Sequence, residues 1–395
     1  MVKKNNKVLN IKDFVLLFLF GYMLFRSSTV GISLYVILFS ICVYLFACRK
    51  AKIDRLSFYL ASFSFFYAII SYIQTGVFNP HQLVYLVAPL AFYFWGQYVI
   101  NHCNDRKAVF FFLCFFLLLF ALNTYYLTIT DIIEVGLINS YRGMLRSGDS
   151  DVVMPATLFG LNVSLGLSGL AIFLSQAKSE RSIISYLYLF ILALSLLTTV
   201  HLINRTGIYI FIICSIIVFL YTITSRKGFL VYSVGLCLFA AFLYWAFSNY
   251  MSLGSDTLEA YSLRERIEGT SLSDFGDRGW RWVDAIQRVF TDPFGWSGSV
   301  PYNYAHNLWL DVAMLRGIIP FSFLILATVR SFRQLVRLCR IRRDSIVATF
   351  IALNVCFFLA SFVEPVMIGF DVFFYLYCML WGMQQCYLRV YSQFY

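Results

Sequence analysis

Long apolar runs separated by short polar segments make up most of this chain. A helix that crosses a bilayer needs roughly 20 predominantly apolar residues, and runs of about this length recur throughout the sequence. The pattern predicts about twelve transmembrane helices, the first of them short. The predicted helices cover residues 13–26, 30–48, 57–73, 83–100, 108–127, 156–176, 183–200, 207–225, 229–248, 307–329, 345–363 and 370–388. We therefore predict an all-α, polytopic integral membrane protein in which residues 1–395 form a single transmembrane domain.

The composition and the placement of charges agree with this prediction. Hydrophobic residues make up 60% of the chain and charged residues only 13%, which is well below the charged share of a soluble domain. The formal net charge is +11, and the basic residues concentrate in alternate short loops, as the positive-inside rule describes. The strongest basic cluster runs from Arg330 to Arg343 and predicts that this loop and both termini are cytoplasmic. We attribute the positive charge to membrane topology and expect no nucleic-acid partner.

Two of the loops predicted to face outward are long, covering residues 128–155 and 249–305. Long loops in a compact protein are usually functional or disordered, and the second contains too many aromatic residues for disorder. A short amphipathic helix at the membrane surface is predicted within it, because apolar residues recur at helical spacing and Pro293 and Gly295 follow. The apolar residues of that helix are Trp282, Ala285, Ile286, Val289 and Phe290.

Basic residues differ between the two sides of the membrane. Every lysine lies in a segment predicted to be cytoplasmic, whereas the basic residues of the outward segments are all arginine. A guanidinium group can bind phosphate oxygens in a bidentate way, which an ammonium group cannot. Arginine can also simply pair with nearby acids, and we expect about half of the outward arginines to do so. Whether the following are functional or structural stays open: Arg142, Arg146, Arg264 and Arg266.

His306 and Arg205 are the first candidates for chemistry. His306 is one of four histidines and lies at the outer end of a predicted helix, where it could be a general base or a helix-end residue. Arg205 begins an apolar helix, where an arginine is either functional or reaches lipid phosphate. No metal-ligand spacing and no outward cysteine is found in the sequence. We therefore predict a site without metal or cofactor.

Three sequence patches carry a resemblance to a known family. They are Asn204–Gly207; Asp277–Trp282 followed by Asp292–Gly295; and His306–Asn307 with Gly317 ten residues past the asparagine. In this order, they resemble motifs of the O-antigen polymerase and ligase superfamily (Wzy type and WaaL type). Pro320 departs from the family pattern, since a second glycine is expected there, and the spacing between Pro293 and Gly295 is one residue shorter. Phe159–Asn162 is a weaker likeness to a small asparagine motif.

The resemblance implies a metal-independent glycosyltransferase with a GT-C-like fold, acting at the outer (periplasmic) face of the bacterial cytoplasmic (inner) membrane. Its donor and acceptor would be glycans linked to undecaprenyl diphosphate, with membrane lipids and a chain-length regulator protein as further partners. In this scheme His306 is the general base. The residues expected to bind the diphosphate are Arg205, Arg278 and Arg281, and those expected to support the site are Asn307, Trp282 and Asn162.

The abundance of Phe and Tyr favours an O-antigen polymerase, which joins lipid-linked repeat units. The first alternative is an O-antigen ligase, which shares the motifs but transfers the polymer to lipid A-core. The second is a polysaccharide flippase or transporter, for which charged residues within the helices and related halves of the chain would be expected.

Overall fold

The computed structural model describes residues 11–26, 32–48, 51–77, 80–103, 105–137, 143–146, 149–176, 182–222, 278–367 and 370–392. The helices are α1 (Ile11–Phe25), α2 (Ile32–Phe46), α3 (Arg55–Thr75), α4 (Pro80–His102), α5 (Arg106–Val135), α6 (Ala156–Ser164), α7 (Gly169–Ser175), α8 (Ile183–His201), α9 (Arg205–Thr222), α10 (Arg278–Thr291), α11 (Leu308–Arg316), α12 (Ile318–Ile341), α13 (Ser345–Val363) and α14 (Asp371–Ser392). The predicted helical architecture is confirmed. Two short antiparallel strands, β1 (Gly143–Arg146) and β2 (Asp149–Pro155), form a hairpin within the predicted loop 128–155.

Seven helices within the described part of the chain are long and apolar enough to cross a membrane: α3, α4, α5, α8, α9, α12 and α13. An eighth span results if α6 and α7, which are bent by 40° at a short break, are counted together. The helices found near 13–26 and 30–48 are only 15 residues each. The predicted helix 229–248 lies outside the described residues. The chain is therefore a polytopic membrane protein.

Close contact between α4 and α14 forms the centre of the helix packing. A Cβ atom added at Gly96 would lie 2.0 Å from the carbonyl oxygen of Met379, and one added at Gly382 would lie 1.9 Å from that of Tyr93. Small residues allow two helix backbones to approach closely where the hydrophobic effect does not drive association. These two glycines therefore set the distance between the helices.

A buried polar chain joins α14 to its other neighbours. The side-chain amide of Gln384 donates to the carbonyl oxygen of Ser331 on α12 at 2.7 Å, and Asn354 on α13 donates to Gln384 at 3.0 Å. These groups are buried, so each would be left unsatisfied if the helices separated. The hydrogen bonds therefore hold α12, α13 and α14 in register, and α13 carries the site described below at its C-terminal end.

The helix predicted over 307–329 is divided at Gly317 into α11 and α12. Gly317 has a φ of 81°, which an L-residue rarely adopts, and ends α11. Pro320 is buried in the first turn of α12, where its missing N–H would have no intrahelical partner in any case. The departure of Pro320 from the family pattern is thus compatible with a regular helix.

Candidate active site at His306 and Glu364

A helix forms within the predicted loop 249–305, as expected, and its residues are those of α10. Its inward face packs Ala285 and Val289 against a small apolar cluster that includes Ala305 and Met314. Ile286 and Phe290, predicted to share the apolar face, are 53% and 77% exposed. Part of the apolar face therefore packs on the protein and part is not covered by it.

The polar side of α10 is held by Asp284. Both of its carboxylate oxygens accept a hydrogen bond from Nε of Arg288 at 3.0 Å, and one accepts from the hydroxyl of Tyr302 at 2.6 Å. Burial, followed by this hydrogen bond, raises the pKa of Tyr302 to about 12. Arg288 is thus a structural arginine, and Asp284 ties α10 to the segment that leads to His306.

The segment after α10 docks onto the break between α11 and α12 through backbone hydrogen bonds. The N–H of Trp296 donates to the carbonyl of Met314, and the N–H of Ile318 donates to that of Pro293, both at 2.8 Å. A Cβ atom at Gly317 would lie 2.1 Å from the oxygen of Pro293, so only glycine allows this approach. The glycine at position 317 therefore has a physical explanation.

His306 is held in an unusual backbone conformation by a buried carboxylate. Its φ is 58°, which is rare for a residue with a side chain and typical of functional sites. Asp311 is fully buried and accepts hydrogen bonds from the N–H of Ala305 at 2.6 Å and of Asn307 at 3.3 Å, on either side of His306. Burial raises the pKa of Asp311 to about 7, although these two hydrogen bonds oppose the rise. The backbone of His306 is therefore preorganised.

Asn307 and Trp282, two of the residues expected to support the site, both hydrogen-bond near the backbone of His306. The side-chain oxygen of Asn307 accepts from the first N–H groups of α11, and its amide donates to the carbonyl of Phe362 at 3.1 Å. The indole N–H of Trp282 donates to the carbonyl of Ala305 at 2.8 Å. Asn307 thus links His306 to the end of α13, and Trp282 links it to α10.

Glu364, which ends α13, is the point at which the site converges. One of its oxygens, Oε1, lies 3.6 Å from Nη2 of Arg278 and accepts from the hydroxyl of Thr206 at 3.3 Å. The other, Oε2, lies 3.9 Å from Nδ1 of His306. Glu364 is only 4% exposed. A buried carboxylate thus brings together residues from α9, α10, the loop before α11 and the end of α13.

The other predicted site residues are Arg281, Arg205 and Asn162. Arg281 lies one helical turn after Arg278, donates to the carbonyl of Tyr304 at 3.4 Å and has its guanidinium over the Trp280 and Tyr302 rings. Arg205 is exposed at the first position of α9, next to Thr206. Asn162 is buried and donates to Thr124 on α5 at 3.1 Å.

Residues with open roles are described only in part. Arg142, Arg264 and Arg266 lie outside the described residues, and of Arg146 only the backbone, in β1, is described. Within the described ranges, no group of three or more His, Cys, Asp or Glu side chains is arranged to hold a metal ion. The absence of a metal from the site therefore stays a prediction.

Sequence reasoning missed Glu364. A carboxylate at the C-terminal end of a helix opposes the helix dipole, and an acid at the end of a strongly apolar helix is costly. Glu364 has both properties, and it directly precedes Pro365. Comparisons with models of protein families and with curated proteins found no match for this chain.

Proposed function

We propose that this protein is a metal-independent glycosyltransferase that joins glycan repeat units carried on undecaprenyl diphosphate, an O-antigen polymerase at the outer face of the bacterial cytoplasmic membrane. One observation carries the proposal: His306 and Arg278, the expected base and the expected diphosphate ligand, both approach the carboxylate of Glu364. His306 and Arg278 belong to different elements, the loop before α11 and helix α10, and the carboxylate of Glu364 lies close to both.

In the proposed reaction, a hydroxyl oxygen of the acceptor glycan attacks the anomeric carbon of the donor glycan. The new glycosidic bond forms as the bond between that carbon and the diphosphate oxygen breaks, and undecaprenyl diphosphate leaves with the electron pair. His306 accepts the proton that the hydroxyl loses. The energy comes from the phosphoester bond of the donor, so the reaction needs neither nucleotide nor metal.

The arginines would stabilise the charge that develops on the leaving diphosphate. Arg278 lies 3.6 Å from Glu364, longer than a hydrogen bond, so a diphosphate can compete for its guanidinium. Cation–π contacts with Trp280 and Tyr302, at 5.6 and 5.7 Å, support the position of Arg281. Arg205 is exposed at the start of α9, beside the residue that reaches Glu364, and could bind the same anion.

His201, another histidine at a helix end predicted to face outward, is less suited to accept a proton. Both ring nitrogens of His201 have acceptor partners, Asp131 at 2.7 Å and the carbonyl oxygen of Leu137 at 2.9 Å. His201 is also fully buried. His306, which is 15% exposed at its side chain, is the better candidate for contact with a substrate hydroxyl.

The proposal includes a membrane topology of about twelve helices, with a GT-C-like arrangement and both termini in the cytoplasm. Membrane lipids surround the helices, and a chain-length regulator protein is a further expected partner. The arginine-only outward loops and the lysine-containing alternate loops support this orientation.

Deletion of the gene tests the proposal and its alternatives, and complementation with the wild-type gene shows that the phenotype is due to its loss. We expect the deletion to leave a lipid A-core that carries a single repeat unit. A core without O-antigen, together with accumulated lipid-linked polymer, would instead indicate a ligase. Repeat units retained on the cytoplasmic leaflet would indicate a flippase.

Point variants with matched controls test the site itself. His306→Ala and Arg278→Ala should abolish long-chain glycan, whereas His81→Ala and Arg288→Ala should support it. Arg288 is the matched control for Arg278, since both lie on α10 but Arg288 pairs with Asp284. Full assembly by His306→Ala, with normal protein levels, would exclude His306 as the base.

A further inference from the structure

Glu364 and His306 present two buried polar atoms to each other. In the part of the chain that the structure describes, neither Nδ1 of His306 nor Oε2 of Glu364 has a hydrogen-bond partner. The two atoms are 3.9 Å apart. An unsatisfied buried polar group is unfavourable, and a rotation that brings the two atoms about 1 Å closer would satisfy both.

The carboxylate of Glu364 can form a defined hydrogen bond to His306 because the backbone of Glu364 is fixed by two hydrogen bonds and by the proline that follows it. Its N–H donates to the carbonyl of Ala360 at 3.0 Å, its carbonyl accepts from the N–H of Val366 at 2.9 Å, and Pro365 follows it. Asn307, the neighbour of His306, binds the carbonyl of Phe362 in the last turn of the same helix. The base and the carboxylate are thus fixed to one rigid element.

The two oxygens of Glu364 serve different partners. Oε1 is occupied by Thr206 and Arg278, so Oε2 is the oxygen available to His306. A carboxylate cannot donate, so the imidazole nitrogen facing it must carry the proton. A neutral imidazole with its proton on Nδ1 has Nε2 as its acceptor, and Nε2 is then the atom that faces away from Glu364.

We propose that Glu364 is the positioning residue of His306: its Oε2 accepts the Nδ1 proton, fixes the ring orientation and leaves Nε2 to take the proton of the acceptor hydroxyl. This inference rests on the proposed function, because the hydroxyl whose proton Nε2 takes is that of the acceptor glycan. The ring orientation and the position of the proton are properties of the protein alone and can be measured without any glycan.

The test combines nitrogen NMR with kinetics on the full-length protein in lipid nanodiscs. With ¹⁵N-labelled histidine, four side chains give signals, and His306→Ala identifies the signal of His306. At alkaline pH, where the ring is neutral, we expect Nδ1 of wild-type His306 to carry the proton. Glu364→Ala should move the proton largely to Nε2, while the signals of the other three histidines stay in place and report an intact fold.

Kinetics with an undecaprenyl-diphosphate-linked repeat unit provide the second measurement. Glu364→Ala should lower kcat about 100-fold and leave KM for the donor within about threefold, as expected for an orienting group. Glu364→Gln keeps the size of the side chain and one acceptor oxygen, so we expect an intermediate kcat. Asp292→Asn, which removes an exposed carboxylate beyond α10, is the control and should match the wild type.

The double variant His306→Ala/Glu364→Ala should be no slower than His306→Ala alone, because Glu364 acts through His306. A wild-type proton on Nε2, or a tautomer unchanged in both Glu364 variants, would overturn the inference even if His306→Ala were inactive. Conversely, full transfer by His306→Ala would refute the proposed base without altering the tautomer result. The two failures are therefore distinguishable.

Discussion

Substitution of Gly317 by alanine should destabilise this protein strongly through the backbone docking beside His306. Two effects contribute. The φ of 81° and ψ of −171° lie in a region that is essentially restricted to glycine, and they are unfavourable for alanine by about 1–3 kcal/mol. In addition, the new Cβ atom would lie 2.1 Å from the oxygen of Pro293 and 2.7 Å from the Cα of Phe294, both backbone atoms that cannot rotate away.

Relief of that overlap requires the segment at Pro293 to move by about 1 Å, which would break the hydrogen bond from Ile318 and strain the one from Trp296. A backbone hydrogen bond contributes about 1 kcal/mol, and a buried group left without a partner costs about 1–3 kcal/mol. Together with the strain in φ, we expect a loss of about 4 kcal/mol.

Two other glycines separate these effects. Gly76 has a φ of 64° but no atom within 4 Å of an added Cβ, so Gly76→Ala reports backbone strain alone. Gly298 also has open space around it and its φ is not in the left-handed region, so Gly298→Ala should change nothing. The loss of folded protein on heating, followed by size-exclusion chromatography in detergent, compares the three. The reasoning would be refuted if Gly317→Ala and Gly76→Ala were equally stable.

Three further substitutions test the site and its scaffold. Asp311→Asn can accept only one of the two N–H groups beside His306, so it should lose about 2 kcal/mol and lower glycan transfer. Burial raises the pKa of Asp311 to about 7, so its carboxyl group ionises less readily in the folded than in the unfolded protein. The contribution of Asp311 to the free energy of unfolding therefore falls as the pH rises from about 4 to 7, and it is constant above about 8. Asp311→Asn should remove this part of the pH dependence, measured by thermal unfolding at each pH. Trp282→Phe keeps an aromatic ring but loses the hydrogen bond to the His306 segment, so it should cost about 1 kcal/mol and reduce kcat. Gly382→Ala places a Cβ atom 1.9 Å from the oxygen of Tyr93 and should lower the yield of folded protein.

For each of these three substitutions, one outcome would contradict the prediction. A stability curve of Asp311→Asn that runs parallel to that of the wild type from pH 4 to 7 would mean that Asp311 is not the titrating group. Wild-type kcat in Trp282→Phe would show that the link from α10 is dispensable. Normal folding of Gly382→Ala would contradict the close contact of α4 and α14.

Much of the helical structure was readable from local patterns. The apolar runs predicted α3, α4, α5, α8, α9 and α13, because the length of an apolar run and its polar boundaries are properties of adjacent residues. The same reasoning located α10 from its period and from Pro293. The tertiary structure adds that Ala285 and Val289 of this apolar face are covered by protein, whereas Ile286 and Phe290 are not, because periodicity defines a face but not what covers it.

The breaks within helices show a second limit. The apolar runs at 156–176 and 307–329 were predicted as single helices, yet the first is bent and the second divides at Gly317. Gly317 was noted in the sequence as a family motif. A glycine is required at position 317 because the oxygen of Pro293 would lie 2.1 Å from an added Cβ atom, and Pro293 is more than 20 residues away in the sequence.

The sequence by itself determined that this chain is helical and membrane-embedded, and it singled out His306, Arg278, Arg281, Asn307 and Trp282 as candidates. Only the tertiary structure decided that Glu364 joins His306 to Arg278 and that Asn162 donates to Thr124 on α5. The physical reason is that hydrophobic periodicity constrains neighbours on one helix. Contacts among α9, α10, α11 and α13 depend instead on how whole helices pack, through glycines and buried polar groups that carry no local signal of their partners.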